Sequence, residues 1–167
     1  MLQSEKNDLL YLLNILEYIG KIWKYTEEAE DAEDLFEMNE QMNLNAALTL
    51  LANIGENVSK ISESLKQQYT HISWRALKDF RNRVVHDYAG LNLSIVYEII
   101  TCELKTLKTD IEKIVSEKVF EKTFEIEEIN VCKDSEFYKY IDFDTIISNL
   151  LSDFNIKNTI IEKETNN

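Results

Sequence analysis

The residue types best suited to acid–base and phosphate chemistry cluster in one segment: Trp74-Arg75-Ala76-Leu77-Lys78-Asp79-Phe80-Arg81-Asn82-Arg83-Val84-Val85-His86-Asp87-Tyr88. At about 100° per residue on an α-helix, Trp74, Leu77, Phe80, Val84, Val85 and Tyr88 fall on one apolar arc. Arg81 lies inside that arc. A guanidinium turned toward a core is costly unless it is paired or holds a ligand, and such a break in local pattern is expected at a functional position. Asn82, Arg83 and His86 take the other face, with Asn82 and His86 one turn apart. His is the side chain whose ordinary pKa suits proton transfer near neutral pH, and Arg presents a fork of donors that fits phosphate. Together they suffice for cleavage of RNA by its own 2′-hydroxyl. The imidazole removes the hydroxyl proton, the guanidinium neutralises charge on the phosphate, and Asn82 orients His86 or donates to phosphate. Arg81 and His86 nevertheless point about 140° apart on one helix. Either the helix unwinds near His86 before Gly90, or two copies of the chain build one cleft, as in a symmetric dimer.

Few residues interrupt the elements that must position this segment, since the chain of 167 residues has three Gly and no Pro. Leu9, Leu13, Leu16, Gly20 and Trp23 predict an amphipathic helix over residues 4–25. After an acidic run, Leu44, Leu48, Leu51, Gly55, Val58, Ile61 and Leu65 predict a second. Gly55 stands in the middle of its apolar face. Gly costs about 1 kcal/mol against Ala inside a helix, so it signals close approach of another helix. Ser73 is the expected N-cap of a third helix, from 74 to about 88, with Gly90 as its stop. Leu93, Val96, Ile100, Leu104, Leu107, Ile111 and Ile114, at steps of three and four, predict a fourth.

Short connections favour antiparallel neighbours, so the expected fold is all-α: an up-and-down antiparallel four-helix bundle with an additional C-terminal extension. The bundle would occupy residues 1–118, with an acidic insertion at 26–40, and the acidic, partly helical extension 119–167. In the extension, Phe124, Ile126, Ile129 and Val131 alternate weakly, as in a strand or a loop. Phe137, Tyr140, Ile141, Asp144, Ile147, Leu150, Leu151 and Phe154 suit one more helix, and residues 162–167 are expected to fray.

The net charge of −13 argues against a generally basic nucleic-acid binder. Its distribution is uneven. Residues 26–40 hold eight acids and no base, residues 120–167 eleven acids and five bases, and the remainder thirteen bases and twelve acids. Arg75, Lys78, Arg81 and Arg83 against Asp79 make residues 75–83 a local +3. The charge therefore permits a narrow cleft of positive potential. No stretch reaches the roughly 18 apolar residues of a membrane span, and the N-terminus lacks the pattern of a signal peptide, so a cytoplasmic protein without membrane attachment is expected. Cys102 and Cys132 have no CxxC spacing, and His71 and His86 lie too far apart for a metal pair, so no metal site is expected. His71 reads as solvated.

Arg81-Asn82-Arg83-Val84-Val85-His86-Asp87-Tyr88 resembles the R-x4-H-x-Y motif of the HEPN superfamily, in its HepT-like (DUF86) branch. Ile54-Gly55-Glu56-Asn57 is similar to that branch's I-G-E segment, Ile72-Ser73-Trp74-Arg75 to its I-P-W-R segment, and residues 91–104 to the helix that follows. Ser73 stands where the family usually has Pro, and Ala89 where an aromatic is common. The resemblance covers roughly residues 5–118 and leaves out 26–40 and the tail from 120.

The resemblance implies a homodimeric all-α protein that is a metal-independent endoribonuclease, without a cofactor, and the toxin of a type VII-like toxin–antitoxin pair. In it Arg81 binds phosphate, His86 is general base or acid, and Asn82 assists. Arg83 and Arg75 are RNA-positioning groups or plain surface charges. Tyr88 would receive AMP from a minimal nucleotidyltransferase of the MntA type, adding negative charge and bulk where RNA phosphate must sit. Glu56 would hold Arg81 across two helices, or be a solvated acid. A rival of another class is a non-catalytic helical nucleotide-binding or adaptor protein that docks such a nucleotidyltransferase; the intact Arg81/His86 pair favours the enzyme.

Overall fold

Residues 3–87 and 90–150 are described by a computed structural model, and among them the chain forms helices and turns with no strand. Helix α1 (Gln3–Thr26) carries the predicted stripe of Leu9, Leu13 and Leu16. A second stripe, Leu12, Ile15, Ile19 and Ile22, is wholly buried about 100° round the same helix. A helix apolar on more than one face must be covered on each, and this makes α1 the central element. Helix α3 (Met42–Lys60) and the last long helix pack on it, and the C-terminal extension closes over its remaining flank.

Between α1 and α3 the acidic stretch is structured. Asp31 caps α2 (Ala32–Glu37) by accepting from the backbone N–H groups of Glu33 and Asp34, and Leu35 is buried beneath it. Tyr97 Oη donates to the carbonyls of Ala29 and Glu30, tying the stretch to the far helix. A short 3₁₀ turn (Met38–Gln41) then leads into α3 through left-handed Asn39, Glu40 and Gln41, at φ 46°, 53° and 68°.

The second predicted helix is two helices. It stops at Lys60, and α4 (Glu63–Gln68) begins at Ser62. Ser62 accepts from Leu65 N–H, while its own N–H and hydroxyl donate to the buried carboxylate of Asp8 on α1. Helix α5 (Trp74–His86) follows with Ser73 at its N-cap, although the Ser73 side chain makes no capping bond. Trp74 is anchored instead by its indole N–H on the Tyr69 carbonyl.

Helix α6 (Leu93–Glu98), a π-helical segment (Ile99–Glu103) and α7 (Leu104–Phe120) run on as one rod. The irregularity is supported from α1, where Trp23 Nε1 donates to the Ile100 carbonyl at 2.8 Å. A single irregular turn of this kind needs such an outside partner for a backbone group the normal ladder leaves free.

The extension differs from expectation in two places. Residues 126–133 are helical (α8, Ile126–Lys133) where a strand or loop is predicted, with Phe124, Ile129 and Cys132 buried and Val131 exposed. The next helix begins only at residue 143 and is described to residue 150. Asp142 caps it through Thr145 N–H and Oγ1. Just before it, the Tyr140 N–H donates to Glu17 Oε2 on α1, and Tyr140 lies so close to Gly20 that a Cβ there would sit 2.3 Å from the Tyr140 Cβ. The extension is thus part of the core, with Phe143 and Ile146 also buried. Leu151, Phe154 and the predicted frayed end 162–167 lie outside the described residues.

Candidate active site

The site begins with a glycine. A Cβ on Gly55 would lie 2.4 Å from the Cβ of Arg81 and 2.7 Å from the Leu77 carbonyl oxygen, so α3 and α5 touch backbone to backbone at this level. That approach puts Arg81 beside Glu56, the residue after the glycine. Arg81 Nη2 is 3.2 Å from Glu56 Oε2, and Nη1 donates to Asn82 Oδ1 at 3.0 Å. The guanidinium is about one-third exposed, neither buried nor free. Of the two readings of Glu56, pairing across the helices is the one found; its other oxygen faces Lys60 at 3.4 Å.

A cation held by a carboxylate on one side and an amide on the other keeps donors to spare, because a guanidinium carries five N–H bonds in a fixed plane. Its direction is set while part of its hydrogen-bonding capacity remains for an anion. This is an arrangement for holding phosphate at a defined place.

His86 is the last residue of α5 and is exposed, with Arg83 exposed one turn before it. Cations in the final turn of a helix are favoured by its dipole. The helix continues regularly through His86 to its C-cap Asp87, so unwinding does not turn His86 toward Arg81 within the helix. Arg75 is almost fully exposed and stands 3.5 Å from Asp79. Tyr88 lies outside the described residues. Of the predicted set, the fold thus brings Arg81 and Asn82 together with Glu56 and leaves Arg75, Arg83 and His86 on the open side of the same helix. Val85, placed on the apolar arc by periodicity, is 52% exposed.

Two grooves flank α5. One, of about 470 Å³, is apolar at its floor with Leu77, Phe80 and Ile99, and is rimmed by Glu98, Glu103 and Asp110. The other, of about 710 Å³, lies between α4 and the first turns of α5 and is lined by Lys66, Arg75 and Lys78, by the carboxylates Glu63 and Asp79, and by hydroxyl and amide side chains. Sequence reasoning did not reach Lys66; six-residue α4 becomes visible only once Ser62 is seen to break the preceding helix. Among the described residues no group of three His, Cys, Asp or Glu side chains is placed to hold a metal ion, and no helix is long and apolar enough to cross a membrane.

Comparison with known proteins shows what the chain as a whole is similar to. A family model described as "Ribonuclease HepT-like" matches residues 15–114, which span α1 to the middle of α7 and include the whole of α5. A Methanocaldococcus jannaschii protein named "Putative RNase MJ1216" is 31% identical over 107 residues, covering 64% of this chain and 86% of that protein. A Thermococcus cleftensis protein named "Probable ribonuclease HepT" is 27% identical over 104 residues, covering 62% of this chain and 92% of that protein. No solved structure matches.

Proposed function

Because the chain belongs to the Ribonuclease HepT-like family, we propose that it is a metal-independent endoribonuclease that cuts RNA through Arg81 and His86, with the cleft shared between two copies in a homodimer. The four long helices would act as an up-and-down bundle presenting α5 to its counterpart. The observation that carries this reading is the clamped guanidinium. Arg81 is oriented by Glu56 and Asn82 at a glycine-tight helix crossing, with an exposed imidazole on the same helix.

Five residues separate Arg81 from His86, about 7.5 Å of rise and 140° of rotation. Two copies related by a two-fold axis can place the Arg81 of one opposite the His86 of the other. One imidazole takes the proton of the 2′-hydroxyl, and the freed oxygen attacks the adjacent phosphorus. The P–O5′ bond breaks, and the second imidazole, in its protonated form, returns a proton to the leaving 5′-oxygen. Arg81 stabilises the charge that builds on the non-bridging oxygens, and Asn82 assists. The products are a 2′,3′-cyclic phosphate and a 5′-hydroxyl end.

As the toxin of a toxin–antitoxin pair, the protein would be silenced when a partner nucleotidyltransferase attaches AMP to Tyr88, two residues beyond His86. Added phosphate near Arg81 competes for the donors that RNA needs.

The test is incubation of the purified protein with RNA in EDTA, alongside Arg81→Ala and His86→Ala, with analysis of the product ends. Cleavage leaving cyclic phosphates, lost in both variants, is expected. No cleavage by the unaltered protein, or equal cleavage by the variants, overturns the enzyme reading in favour of a non-catalytic adaptor. Loss of cleavage in EDTA overturns only the metal-independent mechanism.

A further inference from the structure

The charge of the chain is sharply divided. Residues 59–86, from the end of α3 through α5, hold six of the eighteen Lys and Arg residues and only two of the thirty-one acids, a net +4. Apart from Val58, every residue lining the groove between α4 and the start of α5 lies within this stretch. Three cations and two carboxylates, Glu63 and Asp79, line the groove, a net +1. Lys66, 14% exposed, is set into the wall and bonded to Glu63 at 2.9 Å. Arg75 stands in solvent with only a long contact to Asp79. Lys78 is exposed, and among the described residues no carboxylate pairs with it. Ser59, Thr70 and Ser73 add hydroxyl groups, which can donate to phosphate or to ribose.

The groove continues the face that carries the chemistry. From Arg75, Asn82 is seven residues on and His86 eleven, so all three fall within about 20° of one line along α5. They sit at about 10 Å and 16 Å from the starting level. Lys78 borders the same line. A strand whose scissile phosphate sits at Arg81 and Asn82 therefore meets Lys78 and Arg75 within the next few nucleotides, and then Lys66. On the other side of α5 the groove is rimmed by Glu98, Glu103 and Asp110, and these repel a polyanion. The two sides of the helix are electrostatically opposite.

We propose that the α4–α5 groove is a binding subsite for the sugar–phosphate backbone of single-stranded RNA flanking the cut, with Lys78 and Arg75 as phosphate contacts and Lys66 at its far end. The proposal rests on the ribonuclease reading for its choice of substrate. It adds a direction: the strand leaves the cleft along the N-terminal half of α5. Such contacts carry little sequence information and act through charge, so binding there falls with salt by about 0.7 in the slope of log affinity against log salt per phosphate on a single strand.

The experiment uses the full chain and a fluorescent 2′-O-methyl oligoribonucleotide, which keeps the phosphates and lacks the attacking hydroxyl. Anisotropy titrations across a salt series are compared for the unaltered protein, Lys78→Ala, the Arg75→Ala/Lys78→Ala pair, Lys78→Arg, and Lys113→Ala on α7 as a control. The expected result is a slope lower by about 0.7 for the single variant and about 1.4 for the pair, with affinity at low salt reduced several-fold. Lys78→Arg and Lys113→Ala should match the unaltered protein. In cleavage of ordinary RNA, the pair should raise KM with kcat kept, which a merely structural role would not produce. Unchanged slope and KM in the pair overturn the subsite while leaving the ribonuclease reading intact. A salt slope that responds as expected in a protein that cleaves no RNA overturns the ribonuclease reading and keeps the subsite. No binding of the oligonucleotide by the unaltered protein overturns both.

Discussion

Replacing Gly55 with Ala adds one methyl group at the closest point between α3 and α5, and the sign of its effect on stability is decided by two opposing magnitudes. In an open helix the change would stabilise by about 1 kcal/mol, the difference in helix propensity between the two residues. Here the new carbon would lie 2.4 Å from the Arg81 Cβ and 2.7 Å from the Leu77 carbonyl oxygen, against an optimum of about 3.5–4.0 Å between carbons. The Leu77 neighbour is backbone and cannot rotate away, so the helices must part by about 1 Å. Overpacking of this kind costs roughly 1–3 kcal/mol. The net expectation is a loss of up to about 2 kcal/mol, read as a fall in Tm of up to about 8 °C for a chain of this size. Activity should suffer more than stability. The same displacement carries Arg81 away from Glu56, and a misplacement of about 1 Å in a positioned group can cost on the order of 100-fold in rate. Chemical denaturation and RNA cleavage on the same preparations, at a temperature where the variant is fully folded, separate the two effects. A Gly55→Ala protein that is about 1 kcal/mol more stable and cleaves normally would refute the close-approach argument, because only propensity would then be acting.

Glu56→Gln keeps the shape and removes the charge that holds Arg81. With the guanidinium one-third exposed, stability should change by less than about 1 kcal/mol while kcat falls; an unchanged kcat would show that Glu56 does not position Arg81. The Tyr138 hydroxyl, which donates to Asn14 Oδ1, is pushed up to about 12 by burial, with smaller contributions from the nearby Cys132, Tyr18 and Glu17. An unfolded tyrosine ionises near 10, so between about pH 10 and 12 the unfolded chain loses a proton that the native one keeps, and stability declines as pH rises. Tyr138→Phe should flatten that alkaline limb in urea titrations, and an unaltered limb would contradict the assignment. Neutralising exposed acids of the extension as Glu125→Gln/Glu127→Gln/Glu136→Gln should strengthen RNA binding at low salt and leave it unchanged at high salt. A gain that persists at high salt would mean that something other than charge is at work. Deleting residues 120–167 for the same purpose is expected to unfold the protein, since Phe124, Ile129, Phe143 and Ile146 are buried.

What could be read from the chain, and what could not, follows from how local each cause is. Gly55 and Arg81 both break the apolar pattern of their own helices, and each break was explained by the other when the two helices met. The π-helical turn also left a local trace. Val96, Ile100 and Leu104 are spaced by two successive steps of four, eight residues where two ordinary turns take about 7.2, yet only Trp23 on α1 shows why the chain keeps that spacing. The break at Ser62 had no readable cause within its own segment. The hydrophobic stripe runs through Ile61 to Leu65 without a gap, and the carboxylate that takes the Ser62 N–H is 54 positions away, on Asp8. The extension was misread for a related reason. Its residues answer to the flank of α1 that carries Asn14, Glu17 and Gly20, where Glu17 is completely buried and bonded to the Tyr140 N–H, so their spacing reflects the surface they cover more than their own helical period.

The same reasoning bears on the candidate site. Arg81 was legible because it is constrained inside the chain, by Glu56 and Asn82. His86 stands exposed at the end of α5, and in the proposed mechanism its constraint comes from a second copy. Substitutions that weaken dimerisation without touching α3 or α5 should therefore lower activity in proportion to the monomer formed, while the Arg81–Glu56 pair persists in each monomer. A monomeric variant with full activity would place the whole reaction within one chain and remove the reason for a shared cleft.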